Sequence, residues 1–426
     1  MTHLFRLATT LFALCILTTA YGNSLNAAEL FPGINANDWA WWRGPNLNGH
    51  APATAKPPTK WNSDSNIKWK TPIVGRGHST PTIVGDRIYL STTVEEKGTR
   101  HVIAIDRANG KQLWSTEVYQ GKLDHNHPKN SYASPSIACD GERLFCAFDY
   151  EKAVWLWVLD LKGNVLRQHR VAPFTAHQGY SASPHLYKSL VIVAADSKGE
   201  GEGYLVAYDR ESGDEVWRTK RPSAPSYVSP VVQQINGKDV LLMAGCDMVA
   251  AYDAASGKVE WEAKGAATTE CVGTLLTDGK LVFSSGGYPK HETTAVLADG
   301  SGKVAWRVPV RIYVPSMILI GDYLYAVADP GIVYCWHKDT GEEQWKHRLG
   351  GTFSTSPILA NGLVYVSDEQ ANTYVLRLSP EKLEVVAKNQ LGTHQIAGAS
   401  FSGKQLFLRS ATEADARQEY LYCVEE

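Results

Sequence analysis

Ala104-Ile-Asp-Arg-Ala-Asn-Gly-Lys-Gln-Leu-Trp114 returns as Ala207-Tyr-Asp-Arg-Glu-Ser-Gly-Asp-Glu-Val-Trp217, and again as Ala251-Tyr-Asp-Ala-Ala-Ser-Gly-Lys-Val-Glu-Trp261. Weaker copies end at Trp306 and Trp345. A unit of about 40–55 residues built from short strands and turns marks an all-β propeller. The first strands of eight units start near Ser79-Thr-Pro81, Ser134-Pro135, Ser183-Pro184, Ser229-Pro230, Gly273-Thr274, Pro315-Ser316, Ser356-Pro357 and Ala399-Ser400. Turns such as Asp140-Gly141, Asn236-Gly237 and Asn361-Gly362 join first to second strands, because these residues accept the positive φ of tight hairpins. An eight-bladed propeller over residues 61–426 is expected.

The last unit stops after its third strand, at Leu421-Tyr-Cys-Val-Glu-Glu426. Near the start, Asn66-Ile-Lys-Trp-Lys-Thr-Pro72 reads as an outer strand without a blade. The two should combine to close the ring, which removes exposed sheet edges. Residues 29–60, with Trp39-Ala-Trp-Trp-Arg-Gly-Pro45, are expected to form an extended arm across the propeller. Clustered tryptophans do not stay in water.

Trp69, Trp114, Trp217, Trp261, Trp306 and Trp345 fall at one phase of the repeat. That phase places them as wedges between blades rather than as sugar-stacking platforms. The aspartates at 106, 160, 209 and 253 read as turn residues, and so do Asp149, Asp196, Asp247, Asp329 and Asp368 at the ends of second strands.

The chain has 426 residues, 44% of them hydrophobic and 20% charged, with a net charge of −2. That balance argues against a nucleic-acid partner, which demands a basic field. Leu4 to Ala20 is apolar apart from Arg6 and is short for a membrane span. Residues 1–28 therefore read as a secretory signal peptide, cleaved after Gly22 or Ala28. Cys15 lacks the small-residue box of a lipid anchor. The protein is expected in the periplasm or outside the cell, not membrane-spanning after cleavage, and monomeric. The six later cysteines form no CxxC, so zinc and c-type haem readings fail. Buried free thiols are the favoured reading, and Cys246 with Cys271 is the most plausible pair if a disulfide forms.

In propeller topology the residues just before each first strand ring the channel mouth. Here they include His78, Asn130, Tyr132, His177, Tyr180, Tyr227, Glu270, Tyr313, Phe353 and His394. The candidate ligand-binding residues are His78, Asn130, Tyr132, His177, Tyr180, Glu270 and Tyr313, because convergent polar groups in a concavity make a binding site. The loops Asp196–Glu202 and Ser285–His291 open on the same face. His125 and His127 read as part of a solvated loop. No metal site is expected, since the ligands would come from separate blades, and no GxSxG, HExxH or phosphate-loop pattern occurs.

The repeated Ala-x-Asp-x-x-x-Gly-x-x-x-Trp stretches resemble the tryptophan-docking motif of the quinoprotein family, over residues 61–426. The resemblance implies the eight-bladed fold. Dehydrogenases of this family carry pyrroloquinoline quinone and Ca²⁺ at the channel mouth, whereas a non-catalytic lipoprotein relative assists assembly of outer-membrane β-barrels. Trp42-Arg-Gly-Pro-Asn46 with Gly75-Arg-Gly-His-Ser-Thr-Pro81 is similar to a third group, secreted quinoprotein-like repeat proteins, many from planctomycete-type bacteria. The adjacent Cys-Cys of the alcohol dehydrogenases is missing here. No cofactor is therefore expected, and the chain reads as a binding or scaffolding module. Its partner would be a small molecule or an envelope protein at the channel mouth. A quinone-dependent oxidoreductase and an envelope assembly factor are the alternatives.

Overall fold

The computed structural model describes residues 26–198, 203–413 and 416–426. Most of the expected leader, and the tip of the 196–202 loop, lie outside these residues. The described chain forms eight four-stranded antiparallel sheets. Blade 1 runs Thr82–Val84, Arg87–Val94, Thr99–Asp106 and Gln112–Gln120, from channel to rim. Blades 2 to 7 repeat that order. Blade 8 takes Ser400–Ser402, Gln405–Glu413 and Arg417–Val424 from the C-terminus, and its outer strand, Ile67–Ile73, from the N-terminus. Trp69 pairs with Cys423 across that seam. The ring closes as the orphan strand predicts.

Burial follows position in the blade. Second strands such as Leu190–Ala195 are buried at every residue, because neighbouring blades cover both faces. The sequence there is a continuous apolar run rather than an alternation. Outer strands such as Glu215–Arg221 bury only scattered positions and carry charges between them.

The six phased tryptophans sit where the repeat places them. Trp69 Nε1 donates to Arg107 O at 3.0 Å, and Trp114, Trp306 and Trp345 make the equivalent bond to Leu161, Lys338 and Ser379 of the next blade. Beneath five of the six rings, all but Trp345, lies a glycine of the next blade's turn. A Cβ on Gly110 would stand 2.6 Å from Trp69 Cε3, and one on Gly257 would stand 2.4 Å from Trp217 Cε3. These glycines also have positive φ, so both conformation and space demand glycine. Blade 2 has no tryptophan at this phase. The stem of Arg167 covers Gly213 instead. Blade 7 has none either, and its neighbour carries the chain seam in place of a turn.

Asp106, Asp160, Asp209 and Asp253 accept N–H groups two to four residues ahead, which is the turn chemistry expected. The second set of aspartates differs. Asp368 caps its own turn, but Asp149 and Asp196 are buried against Arg100 and Arg221. Arg221 Nε lies 2.7 Å from Asp196 Oδ1. These pairs repeat for a reason the turn reading missed: blade tops bury charge in pairs. All six cysteines among the described residues are buried and unpaired, Cys246 and Cys271 included. Burial raises the Cys271 thiol to about 11.

Hydroxyls line the inner seams. Thr80 N donates to Ser136 Oγ, Ser136 N to Ser183 Oγ, and Ser183 N to Ser229 Oγ, at 2.9–3.0 Å. Thr274 N and Ser316 N continue the pattern onto Ser316 Oγ and Ser356 Oγ. The serines of Ser183-Pro184, Ser229-Pro230 and Ser356-Pro357 are thus blade-to-blade links.

Candidate functional site

The N-terminal arm decides the shape of the channel. Asn26 caps a single helical turn, Ala27–Leu30, which packs Ala27 and Phe31 into the core. The chain then crosses the far ends of the first strands. It is a run of turns rather than an extended segment, with Arg43 and Leu47 at positive φ. Trp39 exchanges backbone hydrogen bonds with Ile83 of blade 1, and Cys139 N of blade 2 donates to Ala40 O. Leu359 N of blade 7 donates to Gly49 O. Arg43 is buried without a carboxylate partner. Its guanidinium donates to the carbonyls of Pro357 at 3.0 Å, Met317 at 2.7 Å and Asn48 at 3.3 Å. Trp42 Nε1 reaches Thr274 Oγ1 at 2.7 Å.

Trp42 is thereby held as a lining residue of the cavity, which opens at the opposite mouth. The cavity measures about 440 Å³. His78, Tyr227 and Tyr313 give it aromatic walls, Val272, Val314 and Ile396 apolar ones, and Ser183, Ser229 and Ser356 hydroxyls. Lys129 and Glu369 close one side, with Nζ 3.2 Å from Oε2. Ser354 Oγ donates to the same carboxylate at 2.7 Å. Asp329 accepts the N–H groups of Tyr313 and Val314 at 2.8 and 3.3 Å.

Of the residues read from the sequence, His78, Asn130 and Tyr313 line this cup. Glu270 stands behind it and accepts the Tyr313 hydroxyl at 2.9 Å. Burial and the Glu270 carboxylate raise the Tyr313 phenol, so it remains a donor. Three residues are not brought together with these. Tyr180 is buried and donates to Ala194 O at 2.9 Å, under Phe174. Tyr132 flanks the guanidinium of Arg100 at 5.7 Å. His177 is exposed, its ring 5.5 Å from that of His125. His127, read as a loop residue, lines the cup. The sequence reading missed Trp42, Lys129, Gln178, Arg311 and Glu369 as lining residues. They sit on the arm or in loops of irregular length, where no repeat phase marks them.

The family model described as outer membrane protein assembly factor BamB, a pyrroloquinoline-quinone-type repeat, matches residues 59–177, 101–347 and 290–422. The chain belongs to this repeat family. No curated protein matches its sequence. Among solved structures, a europium-containing methanol dehydrogenase is similar at 12% identity and a TM-score of 0.68, over 94% of this chain and 100% of that one. The quinohemoprotein alcohol dehydrogenase from Comamonas testosteroni gives 12% and 0.65, over 93% and 84%. BamB from Moraxella catarrhalis gives 13% and 0.56, over 83% and 97%. At such identities the likeness is one of fold.

Two of these structures of similar fold are titled as a europium-containing methanol dehydrogenase and a quinohemoprotein alcohol dehydrogenase, which raises the question whether the residues present fit a metal-bound quinone. Among the described residues no three His, Cys, Asp or Glu side chains converge to hold a metal ion. The two carboxylates lining the cup, Asp329 and Glu369, already accept backbone N–H groups or the Lys129 and Ser354 donors. No cysteine pair is available to close over a quinone. The donor set does not fit a metal-bound quinone, and no redox step is derived through one. Among the described residues no helix is long and apolar enough to cross a membrane.

Proposed function

We propose that this repeat-family protein is an extracytoplasmic binding module whose ligand is a small molecule held in the cup. The observation that carries this reading is the blind channel: Trp42 and Arg43 are fixed across one end while the other stays open. A space of about 440 Å³ with aromatic walls and a few polar groups has the size and lining of a small-molecule site. The apolar leader before Ala20 supports export.

A thermal-shift screen of small metabolites tests the reading, run in parallel on Ser181→Trp. Ser181 lines the cup at a half-buried position, so an indole there fills the cavity. Ligands that raise the melting temperature of the native chain and lose that effect in Ser181→Trp support the cup. Ligands that stabilise both chains equally bind elsewhere and overturn it.

A second reading has its own observation. Leu113, Val165, Leu166, Val216 and Val259 are 42–50% exposed on the outer strands of blades 1 to 4. Repeated aliphatics on a rim suit a protein partner, and the family description favours one. Co-purification with an envelope protein that survives Ser181→Trp and is lost in Val216→Lys supports this rim.

A further inference from the structure

The hydrogen-bond balance of the cup is uneven. Its acceptors are engaged. Glu369 takes Lys129 and Ser354, Asp329 takes two backbone N–H groups, and Glu270 behind the wall takes the Tyr313 hydroxyl. Its donors are not. Ser183, Ser229 and Ser356 each use the oxygen to accept an N–H from the preceding blade. A serine hydroxyl still has one proton to give. Among the described residues none of these three finds an acceptor within hydrogen-bond reach, and all three line the cavity.

Two further groups point the same way. His78 lines the cup, and its Nε2 is buried without a partner. A buried ring nitrogen of that kind costs free energy unless something pairs with it. Arg311, exposed at the rim, has no carboxylate partner among the described residues. Its guanidinium lies 4.9 Å from the centre of the Tyr313 ring. The cavity therefore offers leftover hydroxyl donors and one cation outside any ion pair, while Asp329 and Glu270, satisfied in hydrogen bonding, keep their negative charge.

We propose that the cup binds the oxyanion group of a small molecule, a carboxylate or a phosphate. Ser183, Ser229, Ser356 and His78 would donate to its oxygens, and Arg311 would supply opposing charge. Oxyanions accept at several lone pairs and donate at none, which matches a wall of unspent O–H groups. Water entering the free cup would pair with the three serine hydroxyls and leave when the anion enters. This inference rests on the reading of the cup as a small-molecule site and adds the ligand's chemical class.

Calorimetric titration separates the two claims. The probes are succinate and inorganic phosphate, with succinamide and glycerol as uncharged counterparts. The expected result is binding of an anion at least tenfold tighter than its neutral counterpart, as charge-assisted hydrogen bonds imply. The stronger anion, succinate or phosphate, names the oxyanion. Arg311→Gln, an exposed change, should weaken the anion about tenfold and leave any neutral binding unchanged. Ser183→Ala should weaken it too, but it also strips an acceptor from Ser136 N, so Arg311→Gln carries the decision. Neutral probes binding as tightly as anions overturn the oxyanion inference and leave the cup standing. An anion that binds Arg311→Gln at full strength also overturns it. Absence of binding by every probe at millimolar concentration overturns the oxyanion inference, while ligands found in the metabolite screen would still uphold the cup.

Discussion

The indole of Trp69 lies over the α-carbon of Gly110, joining the outer strand of blade 8 to the turn of blade 1. A Cβ at Gly110 would stand 2.6 Å from the Trp69 ring, and the glycine has a φ of +76°. Trp69 Nε1 and Thr71 Oγ1 both donate to carbonyls of the same turn, Arg107 and Gly110. This contact lies next to the seam where the two ends of the chain meet, so it holds the ring shut.

Trp69→Ala should destabilise the fold by about 3–5 kcal/mol in urea denaturation, the usual range for losing a buried tryptophan. Gly110→Ala should cost more than the roughly 1–2 kcal/mol of a left-handed alanine alone, since the new methyl also displaces the indole. Gly362→Ala is the control. Its φ is +74° and nothing lies within 4 Å of the added methyl, so only the backbone cost should appear. Equal losses at Gly110 and Gly362 would sink the wedge account.

His185 is buried beneath the arm, its ring 5.8 Å from that of Trp41, and neither ring nitrogen has a partner. Burial lowers its pKa from 6.5 to about 3. The unfolded chain therefore takes up this proton first. Stability should fall as the pH drops below 6.5, by about 1.4 kcal/mol per pH unit from this residue, until about pH 3. His185→Leu keeps a similar volume and removes the titration. Unfolding curves between pH 7 and 4 should be flatter for that variant than for the native chain. Identical pH slopes would show that His185 does not control acid stability.

The repeat made the ring, the seam and the docking tryptophans legible because each is set by a phase that recurs in the sequence. Eight copies of one spacing fix which strand is inner and which outer. The cup was less legible for the same reason. His78, Asn130 and Tyr313 were found by their offset before a first strand. Tyr180 has the same offset, yet it turns inward under Phe174, and no periodicity records a side-chain direction of that kind. Trp42 is held in the cup by its own bond to blade 5 and by those of Arg43 to blades 6 and 7, more than two hundred residues away in the chain. Asp149 and Asp196 read as turn residues because their arginine partners, Arg100 and Arg221, lie on other strands.

The arm also bears on processing. Ala27 is fully buried, its N–H donates to Pro45 O at 3.1 Å, and Asn26 caps the turn and bonds Asn46. Cleavage after Ala28 would discard all of these contacts. If the chain is exported as proposed, mass spectrometry should give a mature chain starting upstream of Asn26, consistent with cleavage after Gly22. A mature terminus at Glu29 would show that the helical turn is dispensable.

The quinone alternative has a direct test. Titration with pyrroloquinoline quinone should show no binding that requires Ca²⁺, since the cup carboxylates are engaged and, among the described residues, no three His, Cys, Asp or Glu side chains converge. Micromolar, Ca²⁺-dependent binding would restore the oxidoreductase reading, and dye-linked dehydrogenase assays would follow.

Lys129 reaches from the loop before blade 2 to Glu369 of blade 7, so the pair spans part of the cup mouth. The Lys129 side chain is 63% exposed, and exposed pairs contribute only about 0–1 kcal/mol. Its effect should therefore fall on access rather than on folding. Lys129→Ala should leave the urea midpoint nearly unchanged, while the ligand leaves the cup faster in stopped-flow dissociation. Raising the salt concentration should speed release more from the native chain than from the variant, because screening of the pair adds to screening of the ligand's own charge. Unchanged dissociation in Lys129→Ala, or an equal salt response in both chains, would rule out the strap. A large loss of stability would mean instead that the loop needs this contact to hold its fold.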